Sequence, residues 1–125
     1  MLLDTDVIVW AWRGNPRAAK AVNGLLDRAI SVVTSMELLR GARDAREARA
    51  IRGSLVQLGV RVLPLSEEIG ARALAYIGEY TLSDGLGLAD ALIAATAVGA
   101  NEPLLTANHR HFKCINGLML ETLRV

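Results

Sequence analysis

Short apolar runs along this chain repeatedly give way to longer stretches in which apolar residues recur every three or four positions, the pattern of strands feeding helices. Met1-Leu2-Leu3 opens as a buried strand, and Val7 to Trp12 stays apolar without alternation, as in a helix packed on several sides. After a break at Gly14-Asn15-Pro16, the stretch from Arg17 to Arg28 sets Ala18, Val22, Leu25 and Leu26 at helical spacing. The β-branched run Ala29 to Val33 predicts a second strand. Thr34-Ser35-Met36-Glu37 then predicts a helix start, with Glu37 in the first turn and Leu38 and Leu39 behind it. Asp44 to Arg52, dense in Arg, Ala and Glu, reads as one helix or two stacked ones with a solvated charged face.

The second half repeats the scheme. Arg61 to Leu65 predicts a third strand, which Pro64 ends or marks as an edge. Ser66 is placed to cap a helix, Glu67 and Glu68 favour its dipole, and Ile69, Ala73, Leu74 and Ile77 form its buried stripe. Beyond a loop at Ser83 to Gly87, an apolar helix opens at Leu88-Ala89-Asp90 and runs to about Val98, with Gly99 as its stop. Pro103 to Thr106 predicts a fourth strand, Asn108 to His111 a polar turn, and Gly117 to Leu120 a fifth strand. Parallel strands need crossovers and these are helical, so the class is α/β: a mostly parallel four- or five-stranded central sheet in three α/β/α layers. No repeat, low-complexity segment or linker divides residues 1–125, which predicts a single domain.

Composition changes this picture little. The apolar fraction, 52%, is slightly high and rich in Ala and Leu, a surplus suited to a partner interface. Fourteen basic against 13 acidic residues leave no overall charge to hold nucleic acid, so such a substrate needs a local patch or bound metal. The single Cys114 makes no intrachain disulfide, and no Cys and His spacing resembles a zinc site. No signal peptide is apparent, and the longest uncharged run, Ala91 to Asn101, falls far short of the roughly 20 apolar residues of a membrane span. A reducing, cytoplasmic location without membrane contact is expected.

The chemistry lies in three carboxylates distant in sequence but alike in position. Asp4, Glu37 and Asp90 each stand where an apolar run turns into a helix, and in an open α/β sheet such places gather at one edge. Carboxylates there suit a hard divalent ion, Mg2+ or Mn2+, which readies water and stabilises the leaving oxygen in phosphodiester cleavage. Each acid also has a plainer reading. Thr34 and Glu37 fit a capping box, and Asp90 fits a first-turn acid stabilised by the helix dipole. Asp4, set among apolar residues, is harder to explain structurally, because an unpartnered buried carboxylate is costly. Asp6 faces the same pocket or solvent, and Thr106 and Asn108 orient water or metal or only stabilise a turn. Asp84 reads as a turn residue before a functional one, Arg13, Arg40 and Arg43 as solvated helix charges before phosphate-attracting ones, and Trp10 and Trp12 as core or interface residues rather than base-stacking ones.

The opening LLDTDVIVW, the segment VVTSMELLRG, the helix LGLADALIAATA and the ending LLTANHRHF with INGLML together resemble the PIN-domain ribonucleases, specifically VapC-type toxins of toxin–antitoxin pairs. The likeness covers nearly the whole chain and implies a PIN-like fold. By this resemblance Asp4, Glu37 and Asp90 are the family acids, Asp4 and Asp90 the magnesium ligands, and Thr106 the polar residue after the late strand. A fourth acid is expected in an Asn-x-x-Asp-Phe pattern, but here Asn108-His109-Arg110-His111-Phe112 puts His111 in its place. Neutral imidazole brings no negative charge, which puts a second metal in doubt and leaves Asp6 as a substitute. The resemblance further implies metal-dependent cleavage of RNA, a homodimer, and a cognate antitoxin whose tail covers the acidic cleft, often with an Arg on the carboxylates. An alternative is a PIN-fold module that binds antitoxin or RNA with weak catalysis. A haloacid-dehalogenase-like phosphatase matches Leu3-Asp4-Thr5-Asp6-Val7 but lacks a Lys in convincing order, since only Lys20 and Lys113 exist.

Overall fold

The computed structural model describes residues 1–125 and has five strands and seven helices. They run in the order β1 (Leu2–Leu3), α1 (Thr5–Trp12), α2 (Pro16–Asn23), β2 (Ala29–Ser31), α3 (Val32–Arg40), α4 (Ala45–Leu58) and β3 (Arg61–Leu63). Then follow α5 (Glu67–Asp84), α6 (Leu88–Gly99), β4 (Leu104–Thr106), α7 (His109–Phe112) and β5 (Leu120–Thr122). The sheet has the order β3-β2-β1-β4-β5, and every pairing is parallel.

The central strands are buried on both faces, and their alternation divides the core. Leu2, Ala29 and Leu104 point to one side, where Tyr76 and Tyr80 of α5, Ile93 of α6 and Phe112 of α7 pack. Leu3, Ile30 and Leu105 point to the other, against Val7 and Ile8 of α1, Val22 of α2 and Leu55 of α4. A strand with two covered faces reads as a continuous apolar run, which is why these segments showed no polar alternation. The result is the α/β/α sandwich the pattern predicts, with five strands and all of them parallel. No helix is long and apolar enough to cross a membrane.

Side chains set most helix starts. Asn15 accepts from the Ala18 N–H at 3.0 Å with Pro16 behind it, Asp44 from the Glu47 N–H at 2.8 Å, and Ser66 from the Ile69 N–H at 3.1 Å. Arg28 closes two helix ends at once: its guanidinium donates to Val22 O and Asn23 O at the end of α2 and to Leu58 O at the end of α4. At the sheet's opposite edge from the strand C-termini, Arg61 grips Asp27 through two 2.7 Å bonds and reaches Glu102, which also pairs with the Met1 amino group at 2.9 Å.

Several expectations need correction. Helix α3 begins at Val32, because the Ser31 hydroxyl caps it by accepting from the Val33 N–H at 3.1 Å. Glu37 therefore sits beyond the first turn, and the Thr34–Glu37 capping box does not form. Helix α1 starts at Thr5, and the Asp44 segment continues as one helix to Leu58. Helix α2 stops at Asn23, leaving Leu26 in a turn and fully exposed, and Leu74 faces outward rather than into the core. The expected polar turn after Asn108 winds into α7, and the last strand lies at Leu120–Thr122. Pro64 does follow an edge strand, whose Val62 is exposed.

Candidate active site

The chain's connections run outward from β1 in both directions, to β2 and β3 on one side and to β4 and β5 on the other. The C-terminal ends of β1 and β4 thus flank the switch point where open α/β sheets form their ligand crevice. Asp4 is the residue after β1, and Thr106 is the last of β4. The Thr106 hydroxyl donates to Asp4 Oδ2 at 2.7 Å and accepts from the Asn108 N–H at 3.0 Å. Asp4 Oδ1 accepts from the Thr5 N–H at 2.8 Å, so the carboxylate also caps α1. Only 5% of Asp4 is exposed.

The other acids are held in similar ways. Asp6, in the first turn of α1, accepts from Asn108 Nδ2 at 2.7 Å and, more weakly, from the Ala107 N–H at 3.4 Å. Thr5 Oγ1 lies 2.7 Å from Glu37 Oε1 and 3.0 Å from the buried Thr34 Oγ1. Having one proton, Thr5 gives it to the carboxylate, which can only accept, and receives one from Thr34. Glu37 is thus tethered across 32 residues of sequence rather than serving as a cap. Asp90, in the first turn of α6, has His111 Nδ1 3.4 Å from its Oδ2.

Asp4, Asp6, Glu37, Asp90, Asn108 and His111 line one cavity of about 400 Å³, together with Thr5, Val9, Trp10 and Arg13. Thr106 stands buried behind Asp4. Every site residue singled out in the sequence is therefore in or directly behind this pocket. Arg40 lies outside it, and Arg43 pairs with Glu47 at 3.0 Å. Asp84, the last residue of α5, lies in a neighbouring cavity of about 560 Å³, which shares Asp90 and His111 with the first. Trp10 and Trp12 are not core residues, being 38% and 40% exposed. Sequence reasoning missed Thr5 and read Thr34 only as a helix cap; the one signal for their joint role is a hydroxyl beside each acidic segment.

Crowded carboxylates resist ionisation. Burial, then the charge of Asp6, pushes Asp4 up to about 7 against the pull of the Thr106 hydroxyl. Burial and the charges of Asp4 and Glu37 bring Asp90 to about 6, with His111 opposing, and burial also raises Asp6. A cation in the pocket would relieve this mutual repulsion. The donors are mainly oxygen, as hard divalent ions prefer. The acids share one cavity, but no three His, Cys, Asp or Glu side chains stand close enough to hold a metal ion together. A hard divalent cation there would be held through one or two carboxylates and keep several waters.

The family model "PIN domain" matches residues 1–117. The curated protein Ribonuclease VapC10 of Mycobacterium tuberculosis is 37% identical over 116 residues, covering 90% of this chain and 85% of its own length. Among solved structures, a toxin–antitoxin complex from Klebsiella pneumoniae superposes with a TM-score of 0.79 at 30% identity, over 97% of this chain and 95% of the other. VapBC2 from Rickettsia felis, bound to a DNA fragment from their promoter, has a TM-score of 0.82 at 24% identity over 98% of each chain and supports the fold alone.

Proposed function

Because the chain belongs to the PIN-domain family, we propose that it is a metal-dependent endoribonuclease acting as the toxin of a type II toxin–antitoxin pair. The observation that carries this reading is that Asp4, Asp6, Glu37 and Asp90 line one cavity beside the switch point, where burial and shared charge push Asp4 and Asp90 above the ordinary carboxylate range. Asp4 and Asp90 would hold Mg2+, and Mn2+ would offer the same chemistry. Such a cation, when bound, lowers the pKa of water and offsets charge developing on phosphoryl oxygens.

The chain's own residues supply order. Thr106 and the Thr5 N–H fix both oxygens of Asp4, so its negative charge faces one direction. Thr5 also fixes Glu37 Oε1, leaving the second oxygen to orient the attacking water and accept its proton. Asn108 holds Asp6 at the pocket wall as an additional carboxylate. His111 occupies the corner where the family resemblance leads one to expect an acid, and its contact with Asp90 steadies that carboxylate without adding negative charge. One cation is therefore the reading we adopt.

The substrate class follows VapC10, a ribonuclease by name, and the antitoxin partner follows the Klebsiella complex. An antitoxin Arg seated on these carboxylates would compete with the cation through bidentate bonds to the same oxygens. A homodimer accords with the exposed apolar face of α5 and α6, where Leu74 and Leu88 flank a cavity of about 240 Å³. The test uses purified, partner-free protein on a mixed RNA pool with Mg2+, with EDTA, and as Asp4→Asn and Asp90→Asn. Metal-dependent cleavage lost in both variants is expected. Cleavage that persists in both would mark a contaminant and end the nuclease reading, and inactivity of the wild type with Mg2+ would favour a binding module for antitoxin or RNA.

A further inference from the structure

The acidic pocket does not end at Asp90 and His111. Those two residues also line the larger cavity, together with Arg110, Lys113 and the loop Gly85 to Gly87. Neither cation enters an ion pair, although Asp84 lines the same cavity, its carboxylate bonded instead by the Ser83 hydroxyl at 2.6 Å. Within the acidic pocket itself, α1 presents Asp6, Trp10 and Arg13 at successive spacings of four and three, so they fall on one helix face, and all three line the pocket, whereas none lines the larger cavity. Trp10 leaves more than a third of its surface open in a pocket whose other lining residues, Val9 apart, are polar.

We infer that the two cavities form one trough for a single RNA strand, with Arg110 and Lys113 holding backbone phosphates on one side of the carboxylates and Trp10 stacking a base on the other. The inference rests on the nuclease reading for what lies at the centre, and it assigns the flanks. Unpaired cations beside a cation-demanding centre complement a chain of phosphates, one phosphate over the acids and its neighbours over the guanidinium and ammonium. An indole offers a face to any unstacked base, which a duplex does not release. With a nearly neutral chain, this local arrangement supplies the attraction that net charge does not.

The two arms have different signatures. Binding of short labelled oligouridylate and oligoadenylate is measured by anisotropy in an Asp4→Asn background with Mg2+, between about 50 and about 200 mM salt. Replacing both cations, Arg110→Gln with Lys113→Gln, should flatten the slope of log affinity against log salt by about 1.4, equally for both sequences. Trp10→Ala should leave that slope alone and weaken binding by about tenfold, more for one base than the other, with Trp10→Phe restoring most of it. An unchanged slope in the double variant, or Trp10→Ala binding like the parent, overturns the assignment, as it would if these residues serve a protein partner instead. If the wild type still cuts RNA with Mg2+ in that case, only the flanks are wrong. If it neither binds nor cuts RNA, both readings fall.

Discussion

Asp4 performs two tasks with opposite demands. As the cap of α1 it accepts two hydrogen bonds that favour its charge, yet its burial beside Asp6 disfavours that charge more. An acid whose pKa is higher folded than unfolded retains its proton longer in the native state. The metal-free protein therefore loses stability as pH rises from about 4 towards about 7, by an amount on the order of a few kcal/mol at most. Asp27 and Glu102, held below their usual range by Arg61 and the Met1 amino group, act in the opposite sense but at lower pH. Melts in EDTA should thus give a higher Tm at pH 5 than at pH 8, with Asp90 and Asp6 adding to the same trend, Asp4→Asn should shrink the difference, and Mg2+ should restore stability at pH 8. Equal melts across this range would contradict the account. Thr106→Val removes the donor to Asp4 Oδ2, raising the Asp4 pKa further and making it a poorer ligand at neutral pH. Calorimetric titration with Mn2+ at pH 7 should show affinity reduced by about 10-fold or more, the cost of one lost bond to a charged group.

At the scale of elements, what the sequence made legible followed from burial. Strands covered on both faces appear as unbroken apolar runs, and Asp4 and Asp90 were readable because each stands at the start of a helix after such a run or loop. Glu37 was recognised for the wrong local reason. Ser31, Thr34 and Ser35 all offer hydroxyls near one helix start, and nothing in local spacing says that Ser31 takes the cap while Thr34 turns to Thr5. The Asn108–Asp6 bond spans 102 positions and leaves no periodic trace, so Asp6 could not be told from a solvated acid. Leu74 and Trp10 failed the simple rule that large apolar residues lie inside, which makes their exposure informative. Arg28 carries an element-level prediction. Arg28→Met strips three carbonyl partners from the ends of α2 and α4, and urea unfolding should show a loss of about 1–3 kcal/mol. Mn2+ affinity should not change, since Arg28 is remote from the acidic pocket.

Apart from the carboxylate pocket, the molecule as a whole carries exposed apolar side chains on α5 and α6, where Leu74 and Leu88 line a shared groove and Leu82 is fully exposed. If that face joins two copies, Leu74→Glu with Leu88→Glu should convert a dimer to a monomer in light scattering while keeping the wild-type circular dichroism spectrum. A monomeric wild type, or a doubly substituted dimer, would remove this face from consideration.

The two-residue strand β1 lies at the middle of the sheet, paired with β2 and β4, and its successor Asp4 is completed by Thr106 from the far end of the chain. During translation, Asp4 is made early and must await its partners. Until β4 has been synthesised, the growing polypeptide has neither the second wall of its central strand nor the hydroxyl that orients its most buried acid. If the nuclease reading holds, a nascent chain that has not yet emerged through β4 should be inactive on RNA, because the acidic pocket is not complete until Thr106 reaches Asp4.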